Sequence, residues 1–278
     1  MIAVLGGLGA AVCWATGTIS AARASRMAGA WPVLGWVMLV GLLVAAPLAA
    51  AAGPHTLTAG EVGWMALSGA GNVGGLLLVY EAMRLGKVSV TAPITSTEGA
   101  IAAVLAVATG ESLGISSSLL LAIIAVGVVL ASLSGGASGA HPVSATFLAG
   151  GAALLFGTSL FATGRVSQSL PLAWALLSPR LVGVAAVTIP LLVRRRLRIP
   201  GRAAPFAALS GLCEVGGFAS YAVGSRHAIA IAAVLASQFA ALTVVASFVL
   251  FRERLRSIQL AGIAGIVVCV GLLTALRA

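Results

Sequence analysis

The chain has 278 residues, of which 60% are hydrophobic and 8% charged, with a mean hydropathy of +1.13. Soluble domains carry about 45–50% apolar and about 25% charged residues, so a water-soluble globule and a disordered chain are both excluded and a multi-spanning membrane protein remains. The net charge of +10 comes from sixteen Lys and Arg against six acids, with the bases mostly at the ends of apolar runs; that placement serves orientation and lipid headgroups rather than nucleic-acid binding.

Charges and turn residues cut the sequence into ten apolar runs, each predicted as a membrane helix: 2–22, 31–52, 62–83, 88–109, 115–134, 144–164, 171–193, 204–225, 228–251 and 257–276. At ~20 residues per span, ten helices leave room only for short turns. The expected fold is an all-α membrane protein. The first run lacks the positive segment that opens a signal peptide and is expected to be retained as a helix. Trp31, Trp64 and Trp174 stand near run starts, where tryptophan marks the headgroup level. The third run holds Asn72 inside Gly71-x-x-x-Gly75, a spacing read as a packing seam, and ends on Glu81 and Arg84, which can pair at i, i+3. Glu98 stands about halfway along the fourth run, with Thr91 and Thr95 on the same helical face. Glu111 is read as an end-of-helix cap whose charge reaches water. The turn Ser134-Gly-Gly-Ala-Ser-Gly-Ala-His-Pro142 is the one linker-like segment. Arg180 follows Pro179 inside the seventh run. Glu214, Phe218, Tyr221 and Ser225 form one stripe on the eighth. Arg252, Glu253, Arg254 and Arg256 cap the ninth.

The chain also matches itself at an offset of 142 residues. Ala66-Leu-Ser-Gly-Ala-Gly-Asn-Val-Gly-Gly75 lies over Ala208-Leu-Ser-Gly-Leu-Cys-Glu-Val-Gly-Gly217, with seven of ten identical. Arg23 falls on Arg165, Arg84 on Arg226 and Glu111 on Glu253 at the same offset. Composition does not place charges at one constant spacing, so the chain is read as two repeats, 1–137 and 138–278. Five spans per repeat is an odd number, so the second repeat enters the membrane inverted, an architecture that places sites at the repeat interface.

The segments Leu235-Ala-Ser-Gln-Phe-Ala-Ala-Leu-Thr243, Leu250-Phe-Arg-Glu-Arg-Leu255 and Gln259-Leu-Ala-Gly-Ile263 resemble the closing signature of EamA-type members of the drug/metabolite transporter superfamily. Pro93-Ile-Thr-Ser-Thr-Glu-Gly99 and Gly110-Glu-Ser-Leu113 are the counterparts in the first half. The resemblance covers essentially the whole chain and implies a transporter of ten helices. It departs at Phe239-Ala240, where a tyrosine-proline pair is common, and that puts a proline-dependent kink in doubt.

A charge at mid-bilayer costs ~3 kcal/mol on insertion scales and normally faces a cavity or a partner. Glu98, Glu214 and Arg180, with Asn72 at the repeat position of Glu214, are therefore the deep polar groups expected to serve the substrate, unless Arg180 and Glu214 simply pair. Tyr221 and Thr95 lie on the same stripes, and Trp14 in the first span and Gln238 in the ninth complete the candidate set. A carboxyl group such as Glu98 can exchange a proton for a cationic substrate or hold an ammonium group. The three cysteines, Cys13, Cys213 and Cys269, lie in apolar runs and read as small hydrophobes. His55, His141 and His227 fall in turns. No nucleophile set, metal set or nucleotide loop is legible, so an enzyme, a metal site, a cofactor and ATP-driven transport are not expected. The reading is a secondary transporter of a small metabolite in the plasma membrane, possible alternatives being an organic-cation exporter of the same fold and a non-transporting scaffold. The sequence does not give the substrate or the oligomeric state.

Overall fold

The structure is a computed structural model, which describes residues 1–85, 94–132, 142–251 and 257–276. Those residues fold into helices, with no strand among them. In chain order they are α1 (Ile2–Ala28), α2 (Ala30–Ala51), α3 (Ala59–Leu85), α4 (Glu98–Ala108), α5 (Ile115–Ser132), α6 (Pro142–Ser169), α7 (Leu172–Gly183), a π-helical turn (Val184–Thr188), α8 (Ile189–Val193), α9 (Ala204–Ser225), α10 (Ile229–Ala236), α11 (Phe239–Phe251) and α12 (Ser257–Leu276). Six stretches are long and apolar enough to cross a membrane: Ile2–Ala28, Ala30–Ala51, Ala59–Val79, Val143–Ser169, Leu172–Val193 and Ala204–Ser225. The surface is that of a membrane protein. Leu5, Leu43, Val104, Phe147, Leu192 and Val267 are exposed, while alanines fill much of the interior. Lipid is as apolar as leucine, so large side chains face outward and small ones let the helices approach.

Most helix bounds follow the predicted runs; several differ for identifiable reasons. α1 continues to Ala28, past Arg23 and Arg26, because arginine is a good helix former and its head can reach water. It stops at Gly29, whose φ of 83° is a left-handed conformation that glycine takes without steric cost. α3 starts three residues early on a reciprocal cap: the Thr58 backbone N–H donates to Glu61 Oε2 at 2.8 Å, and the Glu61 N–H donates to Thr58 Oγ1 at 3.3 Å. α6 runs to Ser169 and carries Arg165 inside it. The seventh run is interrupted by the π-turn, which falls just before Pro190, a residue with no N–H for the helical ladder. The turn presents Thr188, whose hydroxyl donates to the Gly35 carbonyl on α2 at 2.9 Å.

The fourth and ninth runs were expected to be continuous, and neither is. In the fourth, residues 96–97 form a turn in which the Thr97 hydroxyl and N–H both donate to the Ile94 carbonyl, at 2.7 and 3.2 Å. In the ninth, Ser237 and Gln238 separate α10 from α11, and the Ser237 hydroxyl donates to the Val234 carbonyl at 2.9 Å. Short hydroxyl side chains offer the backbone an alternative to the helical ladder. They break the ninth run without the proline that the resemblance leaves missing. Residues 88–93 of the fourth run, the 134–141 linker including His141, and the charges Arg252, Glu253, Arg254 and Arg256 lie outside the described residues, as do the side chain of Arg84 and hence its pairing with Glu81.

Helices pack in matched pairs across the two halves: α1 on α9, α3 on α6, α2 on α7, α4 on α10, and α5 on α12. Glycines set the approach. A Cβ on Gly217 would meet the Trp14 ring at 2.3 Å, and one on Gly75 would meet Phe156 at 2.6 Å. These are the packing seams expected of both glycine pairs. Gly99 packs so closely on α10 that a Cβ would lie 2.4 Å from the Ala233 carbonyl oxygen. Gly99→Ala is therefore expected to lower stability by about 1–3 kcal/mol through overpacking against backbone. Gly63→Ala, in open space on α3, is expected to raise it by a few tenths to about 1 kcal/mol through helix propensity. Thermal unfolding of the two purified variants compares them directly.

Candidate functional site

At the level of Met38 on α2 and Arg180 on α7, the two halves of the chain touch. These residues stand 142 apart, the offset of the internal match, and Arg180 Nη1 lies 3.8 Å from Met38 Sδ. A Cβ on Gly41 would meet Arg180 Cδ at 2.7 Å, and one on Gly183 would meet Met38 Sδ at 2.3 Å. Each glycine thus makes room for the long side chain of the opposite helix, and each is the other's counterpart at that offset. Arg180 is fully buried. Its guanidinium stacks 4.9 Å from the centre of the Phe218 ring, and Nη1 stands 3.8 Å from Glu214 Oε1. Glu214 in turn shares a side-chain hydrogen bond with Asn72, its repeat counterpart on α3. The alternative that Arg180 and Glu214 face each other is the geometry found. Met38, Gly41 and Phe218 belong to the same cluster and were absent from the expected set. The signal that pointed to Met38 was its position 142 residues before Arg180.

Aromatic side chains close the cluster on one side. The Trp14 ring lies 5.4 Å from Phe218, 6.3 Å from Tyr221 and 6.5 Å from Phe239 between ring centres. Phe239 adjoins Gln238 at the break between α10 and α11, so the expected Trp14 and Gln238 meet the Arg180 group through these rings. Both are buried, and neither Trp14 Nε1 nor Gln238 Nε2 has a hydrogen-bond partner among the described residues. The lower part of the α9 stripe is spent on packing. The Tyr221 hydroxyl donates to the Leu160 carbonyl at 2.8 Å, and the Ser225 and Ser167 hydroxyls share a bond of 2.9 Å.

Glu98 is buried and lies within electrostatic reach of Glu214. Its setting differs from expectation. It is the first residue of α4 instead of the middle of an unbroken helix, because the turn at 96–97 interrupts the run. The amino end of a helix favours a negative charge. Thr95, also buried, precedes it by one turn, and Thr91 lies outside the described residues.

Glu111 was read as a cap whose charge reaches water. It caps a different helix instead. Its carboxylate accepts the Ile229 N–H at 2.9 Å and the Ala230 N–H at 3.2 Å, satisfying the open amino end of α10 across the two halves. Arg226 is its structural companion, donating from Nε to the Ser167 carbonyl at 2.6 Å and from Nη2 to the Leu170 carbonyl at 2.9 Å, where α6 ends. Glu111→Ala leaves two N–H groups open and is expected to cost about 1–2 kcal/mol. The check is the unfolding temperature against Glu111→Gln, which keeps an acceptor and recovers part of the loss. The cysteines are free thiols, and no group of three metal-ligating side chains occurs among the described residues.

A solved structure described only as a crystal structure of a protein superimposes with a TM-score of 0.79, over 99% of this chain and 96% of its own, at 16% identity. That is a likeness of fold. No curated protein matches the sequence. The profile of the EamA-like transporter family matches residues 1–133. Across that stretch, which supplies Trp14, Met38, Asn72 and Glu98 to the cluster, the chain belongs to the EamA-like transporter family.

Proposed function

We propose that the protein is a secondary transporter of the plasma membrane. It moves a small metabolite by alternating access between two inverted five-helix repeats, 1–137 and 138–278. In this reading α7, the π-turn and α8 form the seventh of ten spans, and α10 with α11 forms the ninth. The observation that carries it is the buried charged group held where matching positions of the two halves meet. Met38 faces Arg180 and Asn72 bonds Glu214, each pair related by the same offset. A scaffold gains nothing from bearing the insertion cost of Arg180, Glu214 and Glu98, whereas a transporter needs polar groups near the midplane. The paired packing of α1 with α9, α3 with α6, and α4 with α10 supports the repeat. Glu98 is the carboxylate proposed to serve substrate or coupling proton. Solute uptake or counterflow in proteoliposomes tests the function; a protein that holds its fold and moves nothing across a broad metabolite panel removes it.

Orientation follows from charge. Loops at one end carry twelve Lys and Arg, among them Arg23, Arg26, Arg194, Arg195, Arg196, Arg198 and Arg202, whereas the other end and the carboxyl terminus carry Arg165, Arg226 and Arg277. Arg23 stacks 4.9 Å over Phe206, which gathers the end of α1 and the start of α9 on the basic side. Met1–Val4 and His227 share a cleft of about 250 Å³ at the opposite end. The positive-inside rule then places both termini outside. A carboxyl-terminal fluorescent fusion is expected to stay dark, and one that glows in the cytoplasm reverses the assignment.

A further inference from the structure

We propose that Arg180 is the substrate anchor and that it takes a carboxylate. This rests on the transporter reading above. The guanidinium has five N–H donors in one plane. Nη1 meets only Glu214 Oε1 and Met38 Sδ, each at 3.8 Å. Both contacts are long beside the about 2.7–2.9 Å of a charge-assisted hydrogen bond. Nε and Nη2 have no partner among the described residues, although the side chain is fully buried. Buried polar groups in folded proteins are paired in roughly 90% of cases or more. A guanidinium left with open donors in hydrocarbon is among the costliest exceptions.

Three features define what satisfies it. The Phe218 ring occupies a face of the guanidinium at 4.9 Å, so a ligand approaches in the plane, along the edge that carries Nε and Nη2. Two parallel N–H groups on that edge match the two oxygens of a carboxylate. A second open donor, Gln238 Nε2, is nine-tenths buried at the break between α10 and α11. The open acceptors are fewer and weaker, Asn72 Oδ1 and Ser178 Oγ. The cluster therefore asks for a ligand rich in acceptors. Charge selects among acceptors. Arg180 and Glu214 balance each other, and Glu98 lies nearby. A carboxylate adds one negative charge to this low-dielectric site, where a phosphate dianion adds two and is disfavoured. A simple organic cation leaves the Arg180 edge open and meets a guanidinium of its own sign.

The test uses purified full-length protein in nanodiscs and a panel of small carboxylates, aliphatic and aromatic. Each is matched with its primary amide, its primary amine and the corresponding monoalkyl phosphate, with binding measured by calorimetry. At least one carboxylate is expected to bind roughly 10- to 100-fold more tightly than its amide, the size of one or more charged hydrogen bonds. Arg180→Gln should erase that preference, and Gln238→Leu should weaken the same carboxylate severalfold. Equal binding of carboxylate and amide by the wild-type protein overturns the proposal, even where Arg180→Gln fails to fold. So does preference for the amine or the phosphate, or a panel in which nothing binds. Flux of an amine without carboxylate preference sinks the anchor and leaves the transporter standing. Carboxylate binding without flux of any solute sinks the transporter and leaves the anchor.

Discussion

Arg180→Ala is expected to lose about 3–5 kcal/mol of stability, the cost of stranding one member of a buried ion pair, and to appear as a sharp drop in folded protein on size-exclusion chromatography. The partner left behind is Glu214, whose side chain is 20% exposed and holds Asn72 in the same pocket. Truncation also empties the space that Gly41 leaves for the arginine stem and removes the stack on Phe218. Arg180→Ala combined with Glu214→Gln removes both charges and should recover part of the yield, because the charge penalty vanishes while the cavity remains. Arg180→Met with Glu214→Gln should recover more, since methionine is what the opposite helix presents at the matching position. A double variant no better than Arg180→Ala alone rules out direct pairing as the source of the loss.

Glu98→Gln is expected to leave membrane expression intact and to lower transport by at least about tenfold, or to abolish its pH dependence. Glutamine keeps the shape and most of the hydrogen bonds but cannot ionise. The loss of one charged contact corresponds to about 1.5–3 kcal/mol. The repeat counterpart of Glu98 is Ala240, so the architecture does not demand an acid there. The rival role follows from its place as the first residue of α4, where a carboxylate stabilises a helix end by about 0.3–1 kcal/mol. That role predicts a small fall in unfolding temperature and unchanged flux. Proteoliposome uptake across a pH series, beside thermal unfolding, separates them: wild-type flux with an unaltered pH profile removes Glu98 from the mechanism.

The candidate residues were legible to different degrees. Arg180, Glu214 and Glu98 stood out because a charge deep in an apolar run has few tolerable environments, and Asn72 because it lies over Glu214 in the repeat. Tyr221 shared the stripe of Glu214, yet its hydroxyl is committed to the Leu160 carbonyl; periodicity shows which face a residue occupies and not which partner waits there. Glu111 was recognised as a cap, but the helix it caps begins 118 residues later, a distance that no local pattern spans. The breaks at 96–97 and 237–238 were hidden for a related reason. Serine, threonine and glutamine are tolerated in a membrane helix and stop one only when neighbouring helices hold the freed backbone groups.

The sequence alone determined that this chain lies in a membrane as helices, because hydrocarbon obliges every backbone group to bond within its own segment. It also determined the two matching halves, since their offset is written in the charges. Which face of each helix meets which neighbour was decided only in the tertiary structure. Lipid supplies no hydrophobic drive between helices, so association rests on small residues that let backbones close and on a few polar contacts. Gly41 opposite Arg180, Gly217 opposite Trp14 and Gly99 opposite Ala233 set those approaches. Once they are made, Arg180 has Glu214, Met38 and Phe218 for neighbours, and the edge of its guanidinium is left open because the close-packed helices around it bring no acceptor within reach.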